Sequence, residues 1–177
     1  MAIKGSADNK WYAVYTNPRA EKQVYERLTG SNIEAYLPLK KTVRQWSDRK
    51  KTVEMPLIPS YIFVKTTPKS FPLIYKTYGV VKVVSFEGKP VSIPQSQIDI
   101  LRLLIDSNVE MEVTSENFAN GDSVVVTGGA LAGLTGELIR TGSSNRFIVR
   151  IDKLDQNIII NIPKAFLKKT AAADVAV

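Results

Sequence analysis

The chain contains neither histidine nor cysteine. That removes histidine general bases, thiol nucleophiles, the usual serine and cysteine triads, and nearly all zinc sites. Its aspartates and glutamates stand singly, with no pair spaced to converge on a metal ion, so a nuclease built on carboxylates alone is also set aside. The reading is therefore not an enzyme, with no cofactor and no metal, and the chemistry left to the chain is recognition. Two adjacent stretches have the residue types for it. Between Lys40 and Lys51 there are six basic residues (Lys40, Lys41, Arg44, Arg49, Lys50, Lys51) against one acid, Asp48, with Trp46 among them. Cations at this density suit a phosphate backbone, and an exposed aromatic suits an unpaired base. Soon after comes Pro56-Leu57-Ile58-Pro59-Ser60-Tyr61-Ile62-Phe63-Val64, which carries no charge.

The elements that position these residues follow from local chemistry. Two prolines three apart lack amide donors and suit the entry to an edge strand, which places a strand start near Ser60. Along it Ile62 and Val64 point to one face, and Tyr61, Phe63 and Lys65 to the other, so both faces need a cover. For the aromatic face that cover is a further element, another domain or a partner protein. Ser47-Asp48 has turn chemistry between two β-prone arms, predicting a basic hairpin with Trp46 near its tip. Such a hairpin either reaches nucleic acid or is a solvated ribbon whose lysines protect a sheet edge.

Upstream, Trp11 to Thr16 reads as a strand, and Asn17-Pro18 as the cap and first residue of a helix. Ala20, Val24 and Leu28 form its buried stripe, Gly30 ends it, and Arg19 and Arg27 lie two turns apart on its outer face. Downstream, a short helix near Phe71, Ile74 and Tyr75, a strand over 80–86 and a helix over 95–106 complete a first domain. The fold class is α+β, an antiparallel sheet with flanking helices. The next ten residues, 108–117, are polar and read as a linker. Beyond them, glycines at 121, 128, 129, 133 and 136 among β-branched residues predict short, sharply bent strands closing a small barrel of about five strands. The boundaries are 1–9 tail, 10–107 first domain, 108–117 linker, 118–170 second domain and 171–177 tail.

The net charge of +7 points to a polyanionic partner. Residues 1–113 carry 17 basic and 11 acidic side chains, whereas 114–177 carry 7 and 6, so the basic surface belongs to the first domain. With no cysteine, no apolar run at the start and no span-length apolar segment, the expected location is cytoplasmic, with no membrane partner.

Trp11-Tyr12 before a helix, Tyr36-Leu37-Pro38 and above all PLIPSYIFV resemble the amino-terminal domain of NusG-family transcription elongation factors. NGDSVVVTGGALAGLTGEL is similar to their KOW motif, an SH3-like barrel. Within the family the basic hairpin resembles specialised antiterminators of the RfaH or UpxY type. The resemblance implies a monomeric factor that binds the clamp helices of RNA polymerase and promotes processive elongation, with upstream or non-template DNA, and nascent RNA, as further contacts. Tyr61 and Phe63, with Ile58 and Pro59 beside them, match the family's polymerase-binding patch. Arg27 matches a DNA-contacting position of the RfaH-like paralogue, whose His-Thr-Thr element is absent here. Leu131 and Leu134 match loop positions that present apolar side chains to a ribosomal protein or to Rho. The alternative is a ribosome-associated or RNA-binding KOW protein that acts without polymerase. Unlike the RfaH-like paralogue, whose second domain has a helical form, this chain has β-branched runs over 147–151 and 158–162, and Pro163 after them, which predict a second domain that stays β.

Overall fold

A computed structural model describes residues 9–141, 144–151 and 153–170. The two expected tails therefore lie outside the described residues, except for Asn9, and so does part of the turn expected at 142–145. The chain divides into two compact units, Met1–Gln95 and Ser96–Val177.

In the first unit the strands are β1 (Lys10–Thr16), β2 (Glu34–Tyr36), β3 (Leu39–Gln45), β4 (Lys50–Pro56), β5 (Tyr61–Thr66), β6 (Val80–Val83), β7 (Ser85–Phe86), β8 (Lys89–Pro90) and β9 (Ser92–Ile93). The helices are α1 (Glu21–Gly30) and the short α2 (Phe71–Lys76). The main sheet runs β2-β5-β1-β6, with β9 also paired to β1, and all of its pairs are antiparallel. Strand β5 is thus interior, not an edge. Pro59 lies in the preceding turn and Pro56 at the very end of β4, so neither removes an amide donor from within β5.

The expected split of β5 by face is present. Ile62 and Val64 join Tyr12 and Val14 of β1 in a buried cluster with Val24 and Leu28 of α1 and Phe71 and Ile74 of α2. Tyr12 and Phe71 meet edge to face at 4.9 Å, the geometry favoured by the ring quadrupoles. Helix α1 approaches the turn before β6 closely enough to require glycine there. Gly79 has φ +98°, and a Cβ on it would lie 2.7 Å from Val24 Cγ2.

Helix α1 begins and ends later than its sequence suggests. Arg19 has φ 66°, a left-handed conformation that a helix cannot pass through. Asn17 O accepts the Ala20 N–H at 3.1 Å in a turn, and the helix starts only at Glu21. Arg19 therefore sits outside α1, which corrects the expected pairing with Arg27 on one helix face. At the other end the left-handed residue is Asn32 (φ 60°), not Gly30. Ile33 N–H closes back on Leu28 O at 3.0 Å, and Asn tolerates the conformation that more often selects glycine.

The second unit contains most of α3 (Gln95–Ser107), with Ile98, Leu101 and Leu104 buried, then β10 (Met111–Thr114), β11 (Asp122–Val126), β12 (Thr135–Thr141), β13 (Ser144–Ile151), β14 (Gln156–Ile160) and β15 (Leu167–Lys169). These strands form one antiparallel sheet of six in the order β10-β14-β13-β12-β11-β15. The sheet is open, in place of the closed five-stranded barrel expected from the sequence. Its sixth strand, β10, comes from the stretch read as a linker: Met111 pairs with Ile160 and Thr114 with Asn157. Val113 and Met111 have the alternation of a strand, but four residues among acids carry too weak a signal to outweigh the polar composition. The β-branched runs are strands, as their propensity requires. The glycines divide into two kinds. Gly129 and Gly133 take positive φ, while Gly136 is needed for space, since a Cβ there would lie 2.5 Å from Phe147 Cζ.

Candidate functional site

The turn between β4 and β5 is built around a buried carboxylate. Glu21, the first residue of α1, is buried, and its Oε1 accepts the Ser60 N–H at 2.7 Å. Ser60 has φ 64°, and its carbonyl accepts the Thr16 N–H at 2.8 Å. A non-glycine residue in this conformation carries strain that its surroundings must offset. Here a charge-assisted hydrogen bond from one side and a strand-end hydrogen bond from the other do so. Glu21 also stands at the positive end of α1, where a negative side chain is stabilising. Sequence reading missed Glu21, because an acid in a helix's first turn is ordinarily a solvated one.

This turn sets which side chains of the PLIPSYIFV stretch reach the surface. Pro59 is exposed and Tyr61 is half-buried, but Ile58 is 1% exposed and Phe63 0%. The expectation that Ile58 and Phe63 belong to an open docking patch is corrected: both are core. Phe63 lies opposite Ala13 of β1 and Tyr36 of β2, and since its ring stands out of the sheet plane, its full burial means that this face of the sheet is covered as well. What remains accessible is a frame of tyrosines around it. Tyr61 pairs across the ladder with Tyr15, ring to ring at 5.2 Å, and Tyr36 lies 6.4 Å from the Phe63 ring. All three tyrosines are half-buried. Beside them Trp11 is buried, donates from Nε1 to Gln95 Oε1 at 2.8 Å, and has the Lys65 ammonium over its ring.

Strands β3 and β4 form the expected hairpin as a separate two-stranded sheet, from Leu39 opposite Pro56 to Gln45 opposite Lys50. Trp46 N–H to Arg49 O at 2.8 Å closes the tip, and Trp46 is 55% exposed there. Lys41, Arg44, Arg49, Lys50 and Lys51 are exposed, and Lys40 is half-buried. An ion pair at the tip, Arg49 Nε to Asp48 Oδ2 at 4.0 Å, is exposed on both sides and contributes little.

Arg19 is exposed in its turn. Arg27 donates from Nη1 to Tyr78 O at 3.0 Å, and its guanidinium lies 5.3 Å from the Tyr78 ring centre, so it tethers the turn before β6. In the second unit Leu131 and Leu134 are each 4% exposed. They fold inward in the turn between β11 and β12, where Val126 N–H bonds to Leu134 O at 2.9 Å. Their expected role of presenting apolar surface to a partner is corrected: they are core of that turn. A polar cluster of this unit centres on Arg150, which donates to Glu137 from Nε at 2.8 Å and from Nη2 at 3.1 Å, and from Nη2 to the carbonyls of Phe118 and Ala119. Gly121 N–H completes the group on Glu137 Oε2 at 2.9 Å. The Arg150 guanidinium, chiefly through its hydrogen bonds, holds the Glu137 carboxyl below the usual range, while partial burial opposes it.

Residues 9–102 match the family model described as transcription termination factor NusG. The chain belongs to the NusG family. This is a family of non-enzymatic transcription factors. Among solved structures, one of Thermotoga maritima NusG, concerned with its domain interaction, is 18% identical with a TM-score of 0.55, over 94% of this chain and all of that one. That likeness shows a shared fold. A structure of the MjSpt4:Spt5 complex is 17% identical over 91% of this chain and 97% of that one, with a TM-score of 0.31. Among the described residues of this NusG-family chain, no helix is long and apolar enough to cross a membrane.

Proposed function

We propose that this NusG-family protein is a cytoplasmic elongation factor that docks on the clamp helices of RNA polymerase through the turn and tyrosine frame around Pro59 and Tyr61, and favours processive transcription. One observation supports the docking site above others. Ser60 is held in a strained conformation by a buried glutamate, and this fixes an exposed proline beside a half-buried tyrosine pair. A rigid amphipathic surface of this kind loses little entropy on binding, which is the usual condition of an interface anchor. The basic hairpin adds a nucleic-acid contact, in the manner of the specialised RfaH or UpxY paralogues. The second unit recruits a further partner, such as a ribosomal protein or Rho, through surfaces other than Leu131 and Leu134.

The experiment is co-purification of the full-length protein with core RNA polymerase, with ribosomal subunits as the comparison, for wild type and Tyr61→Ala. Truncating a central interface aromatic costs about 2 kcal/mol or more, so Tyr61→Ala weakens polymerase binding roughly 30-fold. Normal binding by folded Tyr61→Ala, or recovery with ribosomes instead of polymerase, overturns the reading and favours a KOW protein that acts on RNA directly.

A further inference from the structure

We infer that β10 is a releasable strap, and that the sheet edge it occupies takes another extended strand when it leaves. Its residues have little preference for a strand. From Asp106 to Asp122 the chain has five acids and no lysine or arginine, and three of the acids, Glu110, Glu112 and Glu116, lie in β10 or within two residues of it. Like charges this close oppose ordering, and the composition by itself is that of a linker. The segment is nevertheless paired. It runs antiparallel to β14 from Met111 opposite Ile160 to Thr114 opposite Asn157, and Met111 is buried. Past the ladder, the buried Asn157 donates from Nδ2 to Glu116 O at 2.9 Å. A segment that tertiary contacts hold against its local preference belongs to the low-stability end of a fold.

The sheet keeps its core without β10. That strand is terminal in the order, and its removal leaves β14-β13-β12-β11-β15, which supply the buried Val124, Val126, Phe147, Ile148, Ile158 and Ile160. Release exposes the unpaired amides and carbonyls of β14, and such an edge accepts a strand of matching pattern. The pattern is read from β10 itself. Side chains alternate, so Met111 and Val113 take one face and Glu112 the other. Glu112 lines a cavity of 310 Å³ together with Leu138, Arg146, Phe147, Lys164 and Leu167, which brings one carboxylate and two cations around an apolar interior. The strand that fits therefore has apolar residues at alternate positions and an acid between them. Release also changes the connection between α3 and β11. With β10 paired, only 108–110, three residues, are unpaired before the sheet begins; without it, 108–121, fourteen residues, separate the two elements. The corresponding extended reaches are about 10 Å and about 50 Å.

The test follows hydrogen exchange of the full-length protein by mass spectrometry. The chain has no cysteine, so Glu112→Cys/Ile159→Cys, at directly opposite positions, forms a lock on the strap alone, cross-strand neighbours being close enough for a disulfide. In wild type and in the reduced pair, residues 111–114 exchange roughly 100-fold faster than β13, yet at least about tenfold slower than a free peptide of residues 109–116. Oxidation of the pair brings them to the rate of β13. Val113→Pro interrupts the ladder and releases the strap, while β12 and β13 keep their protection. In that variant the 109–116 peptide, added at about 1 mM to approach the effective concentration of the tethered strap, restores protection to β14. The same peptide carrying Glu112→Lys binds about fivefold more weakly. Exchange of 111–114 as slow as β13 or as fast as the free peptide, failure of the pair to cross-link, loss of protection across the whole sheet in Val113→Pro, or no effect of the peptide overturns the proposal. None of these readouts involves polymerase or nucleic acid, so the strap stands or falls separately from the docking surface around Tyr61.

Discussion

The hairpin β3–β4 and the strand β5 that follows it are neighbours in the chain and opposites in physics. Strand β5 is apolar on both faces and interior to its sheet, so Ile62, Phe63 and Val64 are fully buried. The hairpin is paired only to itself and exposes nearly every side chain. For β5, apolar residues on a second face mean a second core layer, and the docking surface proposed above is confined to its rim, where Pro59 and Tyr61 emerge. For the hairpin, the same period-2 alternation has no core to satisfy, and basic side chains stand on both of its faces. A continuous apolar run is thus a poor guide to a binding patch, while a charged ribbon keeps its side chains in water.

Substitutions along the two elements sharpen the contrast, and the largest effect is expected in β5. Phe63→Ala leaves a ring-sized cavity in the interior of the sheet and costs about 3–5 kcal/mol by thermal or denaturant unfolding. A loss below about 1 kcal/mol would return Phe63 to the surface and break the comparison. Next comes Glu21→Gln. It keeps the shape but removes the charge from the hydrogen bond to Ser60 N–H, and is expected to cost about 1.5–3 kcal/mol. Because this bond holds the turn, the proposed docking on polymerase is expected to weaken in the same variant, which substitution of a merely surface-exposed glutamate would not cause.

A smaller effect is expected in the second unit, where Glu137→Gln loses the charged pair with Arg150. Both side chains are about a quarter exposed, so solvent screening reduces the cost to about 1 kcal/mol. The sign with pH follows from the lowered pKa of Glu137. The contribution is fully present above the unfolded glutamate value of ~4.3 and is lost as pH falls through the lower folded value. Unfolding of wild type and Glu137→Gln therefore differs at neutral pH and converges in acid, and a gap that persists at low pH would refute the charged pair as its origin. Smallest of all is Val43→Thr on the hairpin, where the side chain is 63% exposed, expected within about 0.5 kcal/mol. A large loss there would mean that this face is covered after all.

Much of this arrangement was legible in the residues. The aliphatic stripe of α1, the two faces of β5, the hairpin with Trp46 at its tip and the β-branched strands of the second unit are local patterns, and local periodicity is set by backbone geometry that every chain shares. Composition likewise spoke against common catalytic chemistry, since it fixes the side chains available. What the sequence could not decide was adjacency. That β5 lies between β2 and β1, and not at an edge, depends on pairings between residues tens of positions apart, and packing against its faces and the turn before it made Phe63 and Ile58 core. Leu131 and Leu134 were drawn inward for the same reason, by a turn that closes on Val126. Glu21 became buried only because the fold brought Ser60 to it, 39 residues on, and β10 became a strand only because β14 had a free edge to offer. Alternation told which side chains share a face; the tertiary structure alone decided whether water or protein lies against it, because burial is a property of what arrives from elsewhere in the chain.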